Sequence, residues 1–276
     1  MIYLTIDFED FAHDIKRDLG VWETGPIKEK ELYLAVEKIE SLKESLGING
    51  VTFFCTGLIA HKLPRLIKYI ASCNNEIACH YYYHDSVQKD KNHIVHENLK
   101  KAKHYLSEAS ETEVCGFRAP KFDVDVTDLE FWDLISQEFK YDSSLDASVL
   151  LLNTKLSTTF DLKFIPITNT TILSKKIRIG GTYLKFMSYD KVKSVIDKSL
   201  DNNYPTQIYI HPYEVLVMGE FKLNYSELSG LPLAKKLYWI IRQNQWHGIN
   251  KHSILDKLIR LGSDYKFNNV LVDELV

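Results

Sequence analysis

Short apolar runs alternate along this chain with longer stretches whose apolar residues recur every three or four positions. The short runs predict buried strands, because they are too brief to build an amphipathic helix. They cover residues 1–6, 51–55, 76–79 and 207–210. The longer stretches predict helices over residues 28–46, 63–71, 90–110, 127–139, 189–200, 231–242 and 254–261. In the helix over 127–139, Thr127 is the predicted N-cap and Glu130 completes a capping box.

This alternation predicts the fold class. Strands that alternate with helices at this spacing are typical of βα units around a parallel sheet, so we expect an α/β fold, a single distorted (β/α) barrel. Between residues 148 and 181 the alternation gives way to short β-like pieces, which we interpret as a small β insertion. We find no repeat and no linker, and expect one catalytic domain over 1–276, with a core of about 1–215 and a C-terminal helical extension of about 216–276.

Composition and charge narrow the classes of partner. The chain has 34 Lys and Arg against 37 Asp and Glu, a net charge of −3, so nucleic acid and anionic membranes are poor default partners. No apolar run approaches the length of a transmembrane helix, and residues 1–7 do not resemble a secretory signal. We therefore predict no integral membrane segment and a cytoplasmic location. The 12% of aromatic residues fill a core or build a platform for a ring-shaped ligand, and composition leaves both open.

Polar side chains follow several of the predicted strands, at the point where each strand ends. In a (β/α) barrel these strand ends converge, and their loops build the active site. The residues in these positions are Asp7, Glu9, Asp10, His80, His84, Arg118, Asp142 and His211.

Two of these positions suggest a metal site. His80 and His84 are four residues apart, and a helical turn would aim both imidazoles at one cation. An acid from another strand end would complete a set suited to Zn²⁺. The alternatives are a strand-end histidine with a helix-capping histidine, and a solvated acidic loop. A carboxylate such as Asp7 at the end of an apolar strand needs a partner, and Arg118 is the obvious candidate.

Five motifs occur in an order that resembles the polysaccharide deacetylase (NodB-homology) superfamily, carbohydrate esterase family four. The resemblance covers residues 2–212, most of the chain. The motifs are Leu4-Thr-Ile-Asp7, His80-Tyr-Tyr-Tyr-His84 after its preceding strand, Gly116-Phe-Arg118-Ala-Pro120, Phe139-Lys-Tyr-Asp142-Ser-Ser144 and Ile208-Tyr-Ile-His211-Pro212.

The chain is most similar to a subgroup with a stretched first motif, D-x-E-D-aromatic-x-H, here residues 7–13. It also has an element similar to G-G-x-Y/F-x-R over residues 180–185, in which Lys185 replaces the arginine. Phe8 occupies the position of the family's metal-binding second aspartate. The resemblance then implies that the acidic ligand is Glu9 or Asp10, with Glu9 favoured by relatives that place an acid two positions after the first aspartate.

The resemblance implies metal-assisted hydrolysis of an acyl group, most simply an N-acetyl group on an amino sugar. His80, His84 and Glu9 or Asp10 would bind one divalent ion, taken as Zn²⁺. Asp7 would be the general base, positioned by Arg118, and His211 the general acid, oriented by Asp142. A backbone N–H near Tyr81 would stabilise the oxyanion. Substrate contacts are expected from Tyr81, Pro120, Tyr183 and Lys185.

The expected partner is a saccharide: a nucleotide sugar, a lipid-linked glycan or an oligosaccharide, in the context of surface-polysaccharide biosynthesis. Two alternatives stay open from the sequence. One is a hydrolase of another small amide or formyl group, and the other is a catalytically silent member that binds saccharide.

Overall fold

The computed structural model describes residues 1–21, 26–202 and 205–275. Ten strands alternate with thirteen α-helices in these ranges. The strands are β1 (Ile2–Phe8), β2 (Thr52–Cys55), β3 (Glu76–Cys79), β4 (Gly116–Phe117), β5 (Tyr141–Asp142), β6 (Lys163–Phe164), β7 (Asn169–Ile172), β8 (Lys175–Arg178), β9 (Thr206–Ile210) and β10 (Phe267–Asn268). The helices are α1 (Phe11–Asp18), α2 (Glu29–Leu46), α3 (Gly57–Lys62), α4 (Pro64–Ser72), α5 (Asn92–Ser110), α6 (Leu129–Glu138), α7 (Ala147–Leu152), α8 (Thr154–Thr159), α9 (Gly181–Phe186), α10 (Tyr189–Asp201), α11 (Pro212–Val215), α12 (Leu233–Gly248) and α13 (Ser253–Asp264).

Eight strands form one curled parallel sheet. Strand β1 lies between β9 and β2, and β3, β4, β5 and β6 follow in order beyond β2. Strand β10 also pairs with the beginning of β1, whereas β7 and β8 form a separate antiparallel hairpin. The sheet is a half-barrel surrounded by helices, which confirms the predicted distorted (β/α) barrel.

The core lies between the sheet and the helices. All seven residues of β1 are buried, as a strand covered on both faces requires. Helix α2 packs on the sheet through an apolar stripe that includes Leu32, Val36 and Ile39. Each such side chain contributes about 1.5–3 kcal/mol on burial. The helix ends at Gly47, whose φ of 66° is a left-handed conformation that glycine adopts without strain.

One prediction about local structure was wrong. Helix α6 is capped by Asp128, whose carboxylate accepts a hydrogen bond from the Phe131 amide, and Thr127 lies outside the helix. An aspartate one residue later offers the same cap, and the pattern alone could not choose between them. The predicted β insertion over 148–181 is confirmed as the β7–β8 hairpin, and helices α7 and α8 precede the hairpin.

The parallel sheet places several strand ends on one edge. Strands β1, β3, β4 and β9 end directly before Glu9, His80, Arg118 and His211, respectively. The polar residues that the sequence singled out therefore converge there. Within the described ranges, no helix has the length and apolar character needed to cross a membrane.

Candidate active site

Glu9, His80 and His84 lie together at the carboxyl edge of the sheet. Each offers one ligand atom, and these atoms all lie within 4.8 Å of one another. The His84 Nε2 is 2.6 Å from Glu9 Oε2, and the His80 Nε2 is 4.0 Å from the same oxygen. The arrangement brings two imidazoles and a carboxylate, from two strand ends, around one point.

The hydrogen bonding of His80 fits a metal ligand. Its Nδ1 lies 2.8 Å from the Arg118 carbonyl oxygen, which only an Nδ1–H can satisfy. The Nε2 therefore carries the lone pair and points at the group, where it is buried with no hydrogen-bond partner. A buried acceptor without a partner is costly, and a cation would satisfy it. The residues present thus fit a divalent ion with open coordination positions.

The charges of His80 and Glu9 support the same interpretation, whereas the Glu9 carboxylate outweighs burial and raises the pKa of His84. Burial lowers the pKa of His80 to about 4, although Asp7 and Glu9 oppose the shift, so its imidazole is neutral at pH 7. Burial acts to raise the pKa of Glu9, but His84, His211 and His80 outweigh it and lower the pKa to about 2. A neutral imidazole and an ionised carboxylate are the states in which these groups bind metals.

Asp10 lies apart from this group. Its Oδ1 caps helix α1 by accepting hydrogen bonds from the amides of Ala12 and His13, and its Oδ2 accepts from the Lys28 amide at 2.6 Å. Three backbone donors occupy the carboxylate and hold it in place as a helix cap. Of the two acids that the sequence left open, the structure brings Glu9 to the histidines.

Asp7 and Arg118 form a buried ion pair beside the histidines. The Arg118 Nη1 donates to Asp7 Oδ1 at 2.5 Å. The guanidinium is completely buried and also donates to Thr5 Oγ1, the Ser143 hydroxyl and carbonyl and Gln207 Oε1. These contacts hold Arg118 rigidly, so it positions one oxygen of Asp7 and leaves Oδ2 unused by the pair.

His211 is oriented by Glu214. The His211 Nδ1 is 3.0 Å from Glu214 Oε2, and the same oxygen accepts from the His211 amide. Burial acts to lower the pKa of His211, but Glu214, then Glu9 and Asp7, outweigh it and raise the pKa to about 9. The imidazole is therefore protonated at neutral pH. Its Nε2 lies 3.9 Å from Glu9 Oε1, so it faces the group of Glu9, His80 and His84.

The predicted pairing of His211 with Asp142 was wrong. Asp142 instead accepts hydrogen bonds from the amide and hydroxyl of Ser144, and the Ser144 hydroxyl accepts from the Ala119 amide. Burial raises the pKa of Asp142 to about 7. Asp142 thus braces the loop that follows Arg118.

Tyr81 is placed differently from its predicted role in substrate binding. Its ring is fully buried, and its hydroxyl donates a hydrogen bond to the Asp90 carboxylate at 2.8 Å. Its backbone is in the left-handed conformation, with φ of 62°. Tyr81 is a core residue that shapes the turn between His80 and His84.

The other predicted substrate contacts differ in exposure. Pro120 is buried at the start of a turn in which Lys121 and Phe122 both have positive φ. Tyr183 is half exposed on α9. Lys185 is buried, and its Nζ donates to the Trp246 carbonyl at 2.8 Å, which ties α9 to α12. Tyr183 is the member of this set with a ring open to solvent.

Sequence reasoning missed two carboxylates at the site. Glu214 follows His211 by three residues with a proline between them, which is the spacing of a capping box at the start of α11. Asp14 lies one turn beyond Asp10, with its Oδ2 buried 3.8 Å from His84 Nδ1. The first had a sequence signal, whereas Asp14 needed the three-dimensional position of His84.

Carboxylates and imidazoles thus meet at one edge of the half-barrel, an arrangement that suits acid–base hydrolysis. The sequence profile named Polysaccharide deacetylase matches residues 36–130, a segment that includes His80, His84 and Arg118. No curated protein sequence matches the chain. This match agrees with the resemblance to the NodB-homology superfamily over the matched segment, and it supports a deacetylase.

Solved structures share this fold at low sequence identity. A polysaccharide-deacetylase-like protein from Mycobacterium smegmatis aligns with a TM-score of 0.60 and 15% identity over 99% of this chain and 88% of that one. The peptidoglycan N-acetylglucosamine deacetylase Bc1960 aligns with a TM-score of 0.51 and 16% identity over 99% and 86%. A CE4 family pseudoenzyme from Bacillus anthracis aligns with a TM-score of 0.51 and 15% identity over 100% and 65%.

Proposed function

We propose that this protein is a metal-dependent hydrolase that removes an acyl group, N-acetyl in the simplest case, from an amino sugar. The observation that carries the proposal is the buried group of Glu9, His80 and His84, in which the lone pair of His80 Nε2 has no protein partner. A divalent ion such as Zn²⁺ bound there would polarise the acyl carbonyl and lower the pKa of water. Two further groups, Asp7 and His211, flank these residues.

Asp7 is the proposed general base. Its charge acts on both His80 and His211, so it lies close to the proposed ligands and to the proposed acid. With Oδ1 held by Arg118, Oδ2 takes a proton from water as the water oxygen adds to the acyl carbon. Arg118 is a positioning residue, because its other donors keep the guanidinium fixed.

His211 is the proposed general acid. It is protonated at neutral pH because Glu214 raises its pKa, and its Nε2 faces the ligand group. As the carbon–nitrogen bond breaks, Nε2 gives its proton to the leaving nitrogen, and the products are a carboxylate and an amine. Tyr213 stacks on the imidazole at 5.3 Å and helps to hold the ring in this orientation.

The proposed substrate is a saccharide, either a nucleotide sugar, a lipid-linked glycan or an oligosaccharide. The exposed ring of Tyr183 lies two residues after Gly181, whose position would put a Cβ 3.2 Å from the His211 ring. An exposed aromatic ring on the helix that begins beside the proposed acid suits stacking on a sugar. The cytoplasmic location, Zn²⁺ as the metal and a role in surface-polysaccharide synthesis stay predictions.

Hydrolysis assays with protein loaded separately with Zn²⁺, Co²⁺ and Mn²⁺ test this function. The substrates are N-acetylated amino sugars, their nucleotide conjugates and short chitin oligosaccharides, and released acetate is measured. We expect metal-dependent acetate release that Asp7→Asn abolishes. Saccharide binding by calorimetry, without acetate release by any metal-loaded form, would instead identify a silent binding protein like the pseudoenzyme among its structural neighbours.

A further inference from the structure

Helix α12 presents an apolar stripe to solvent. Leu233, Leu237 and Ile241 follow one another at intervals of four residues and are 61%, 50% and 61% exposed. Tyr238 on the same side is 57% exposed. The opposite face is covered, because Trp239, Ile240 and Trp246 pack on a cluster formed by Ala12, Ile15, Leu223 and Leu228. The helix is therefore anchored by one face, and the other face has no partner among the described residues.

Positive charge borders this stripe. At about 100° per residue, Lys235 and Arg242 lie along one side of it, whereas Lys236 lies on the covered face between Trp239 and Ile240. Residues 228–255 also contain Lys251 but no Asp or Glu, in a chain whose net charge is −3. Within the described ranges Lys235, Lys236 and Arg242 make no ion pair, whereas Lys236 and Arg242 lie over the rings of Tyr225 and Trp246.

We propose that this face of α12, formed by Leu233, Leu237, Tyr238, Ile241 and the flanking cations Lys235 and Arg242, docks on the surface of an anionic lipid bilayer. An amphipathic helix with bulky apolar residues on one face and Lys and Arg at its borders lies in the headgroup region with its apolar side buried. The long basic side chains reach outward to the phosphates. The charge of this surface selects anionic lipid over neutral lipid.

A second copy of the chain is a less suitable occupant. Pairing this helix with itself would bring the same cations face to face, which like-charge repulsion opposes. The near-neutral total charge does not weigh against lipid, because charges beyond about 10 Å are screened at physiological salt. The charges that interact with a bilayer are therefore those on the exposed surface of α12.

The surface adjoins the candidate active site. Trp246 and His247, on the inner side of α12, contact Phe11 and Tyr213 with ring centroids 5.4 Å and 5.5 Å apart, respectively. Tyr213 in turn stacks on His211. Docking would hold the rim of the site close to the headgroups. The docking proposal itself does not depend on hydrolysis, and binding alone tests it.

Co-sedimentation of the full chain with vesicles provides the test. Vesicles of phosphatidylcholine with about one third phosphatidylglycerol are compared with vesicles of pure phosphatidylcholine. We expect partitioning at least about tenfold stronger to the anionic vesicles, and release by about 0.5 M salt. Equal partitioning to both vesicles, or none to either, overturns the proposal.

Three variants locate the binding. Leu237→Asp and the double variant Lys235→Glu/Arg242→Glu each lower anionic partitioning by at least about tenfold, through loss of apolar burial and of attraction, respectively. Leu152→Asp, at an exposed leucine on α7, binds like the wild type. Circular dichroism verifies that each variant is folded. Unchanged binding of both α12 variants would contradict lipid as the direct occupant. The same conclusion would follow if the wild type were a dimer and Leu237→Asp converted it to a monomer that no longer sediments with lipid.

Discussion

Glu214 Oε2 lies 3.0 Å from the Nδ1 of His211 and raises the pKa of this imidazole to about 9. Burial alone would lower the pKa, so the glutamate decides that His211 is protonated at neutral pH. The ring is therefore ready to donate a proton from Nε2. Glu214, three residues after His211, thus orients and charges the imidazole, the role that the sequence analysis expected of Asp142.

Glu214→Gln should therefore weaken the proposed acid. Without the negative charge the pKa of His211 falls from about 9, and we expect kcat at pH 8 to fall by about tenfold to a hundredfold while KM changes little. The pKa itself is measured by NMR titration of the imidazole. Asp142→Asn is the matched control, because the sequence predicts Asp142 as the partner of His211. It should leave the pKa of His211 unchanged.

Asp7→Asn should remove the proposed base without removing the metal ligands. We expect kcat to fall by about 10²–10⁴-fold with metal content unchanged, as measured by acetate release and by elemental analysis. Asp18→Asn alters an exposed ion pair with Lys121 and serves as the control, with activity unchanged. Full activity of Asp7→Asn would exclude Asp7 as the base.

Glu9 and Asp10 should separate metal binding from helix capping. We expect Glu9→Gln to lower metal affinity by more than about tenfold, measured by calorimetry. Asp10→Ala should keep the metal affinity and lose about 1–2 kcal/mol of unfolding free energy, because it removes the cap of α1. The reverse pattern would assign the ligand to Asp10. His104→Asn, at an exposed histidine, is the control for loss of an imidazole.

His247 should make the protein less stable in acid. Burial, then Lys185 and Lys222, lower its pKa from 6.5 to about 4. Between these values the unfolded chain binds a proton that the folded chain does not, so the free energy of unfolding falls as pH drops from about 6.5 to 4. We expect this loss, no more than about 3 kcal/mol, to be absent in His247→Leu. Urea unfolding of both proteins at pH 7.5 and 4.5 measures the difference, and equal losses would contradict it.

Gly180 is required by close packing beside the site. A Cβ at this position would overlap the carbonyl oxygen and the ring of Tyr209. Tyr209 belongs to β9, the strand that ends directly before His211. We expect Gly180→Ala to cost more than about 2 kcal/mol of unfolding free energy and to lower kcat by displacing β9. Gly248→Ala is the control, because a Cβ at this end of α12 meets nothing within 4 Å, and it should be neutral or stabilising. Thermal unfolding of both variants and the wild type measures the difference.

The strand ends could be predicted because buried parallel strands are short, apolar and interrupted by polar residues. His80, Arg118 and His211 directly follow such strands and Asp7 is the last residue but one of β1, so the parallel sheet brings them to one edge. The helices over 147–159 could not be predicted in the same way. Their apolar residues give no clear helical period, and tertiary contacts such as the burial of Leu156 decide their conformation.

The sequence by itself indicated the α/β fold class and the edge of the sheet where the polar residues gather, and the resemblance of its motifs to a known superfamily reduced the proposed metal ligands to two histidines and one of two neighbouring acids. These properties follow from local patterns: periodicity, strand length and motif spacing. The tertiary structure decided the pairings, with Glu9 facing the histidines, Asp10 on the helix cap and Glu214 beside His211. It also decided which face of α12 is covered and which is open. Pairing depends on backbone direction and side-chain reach, to within an ångström or so, and a one-dimensional pattern does not contain them.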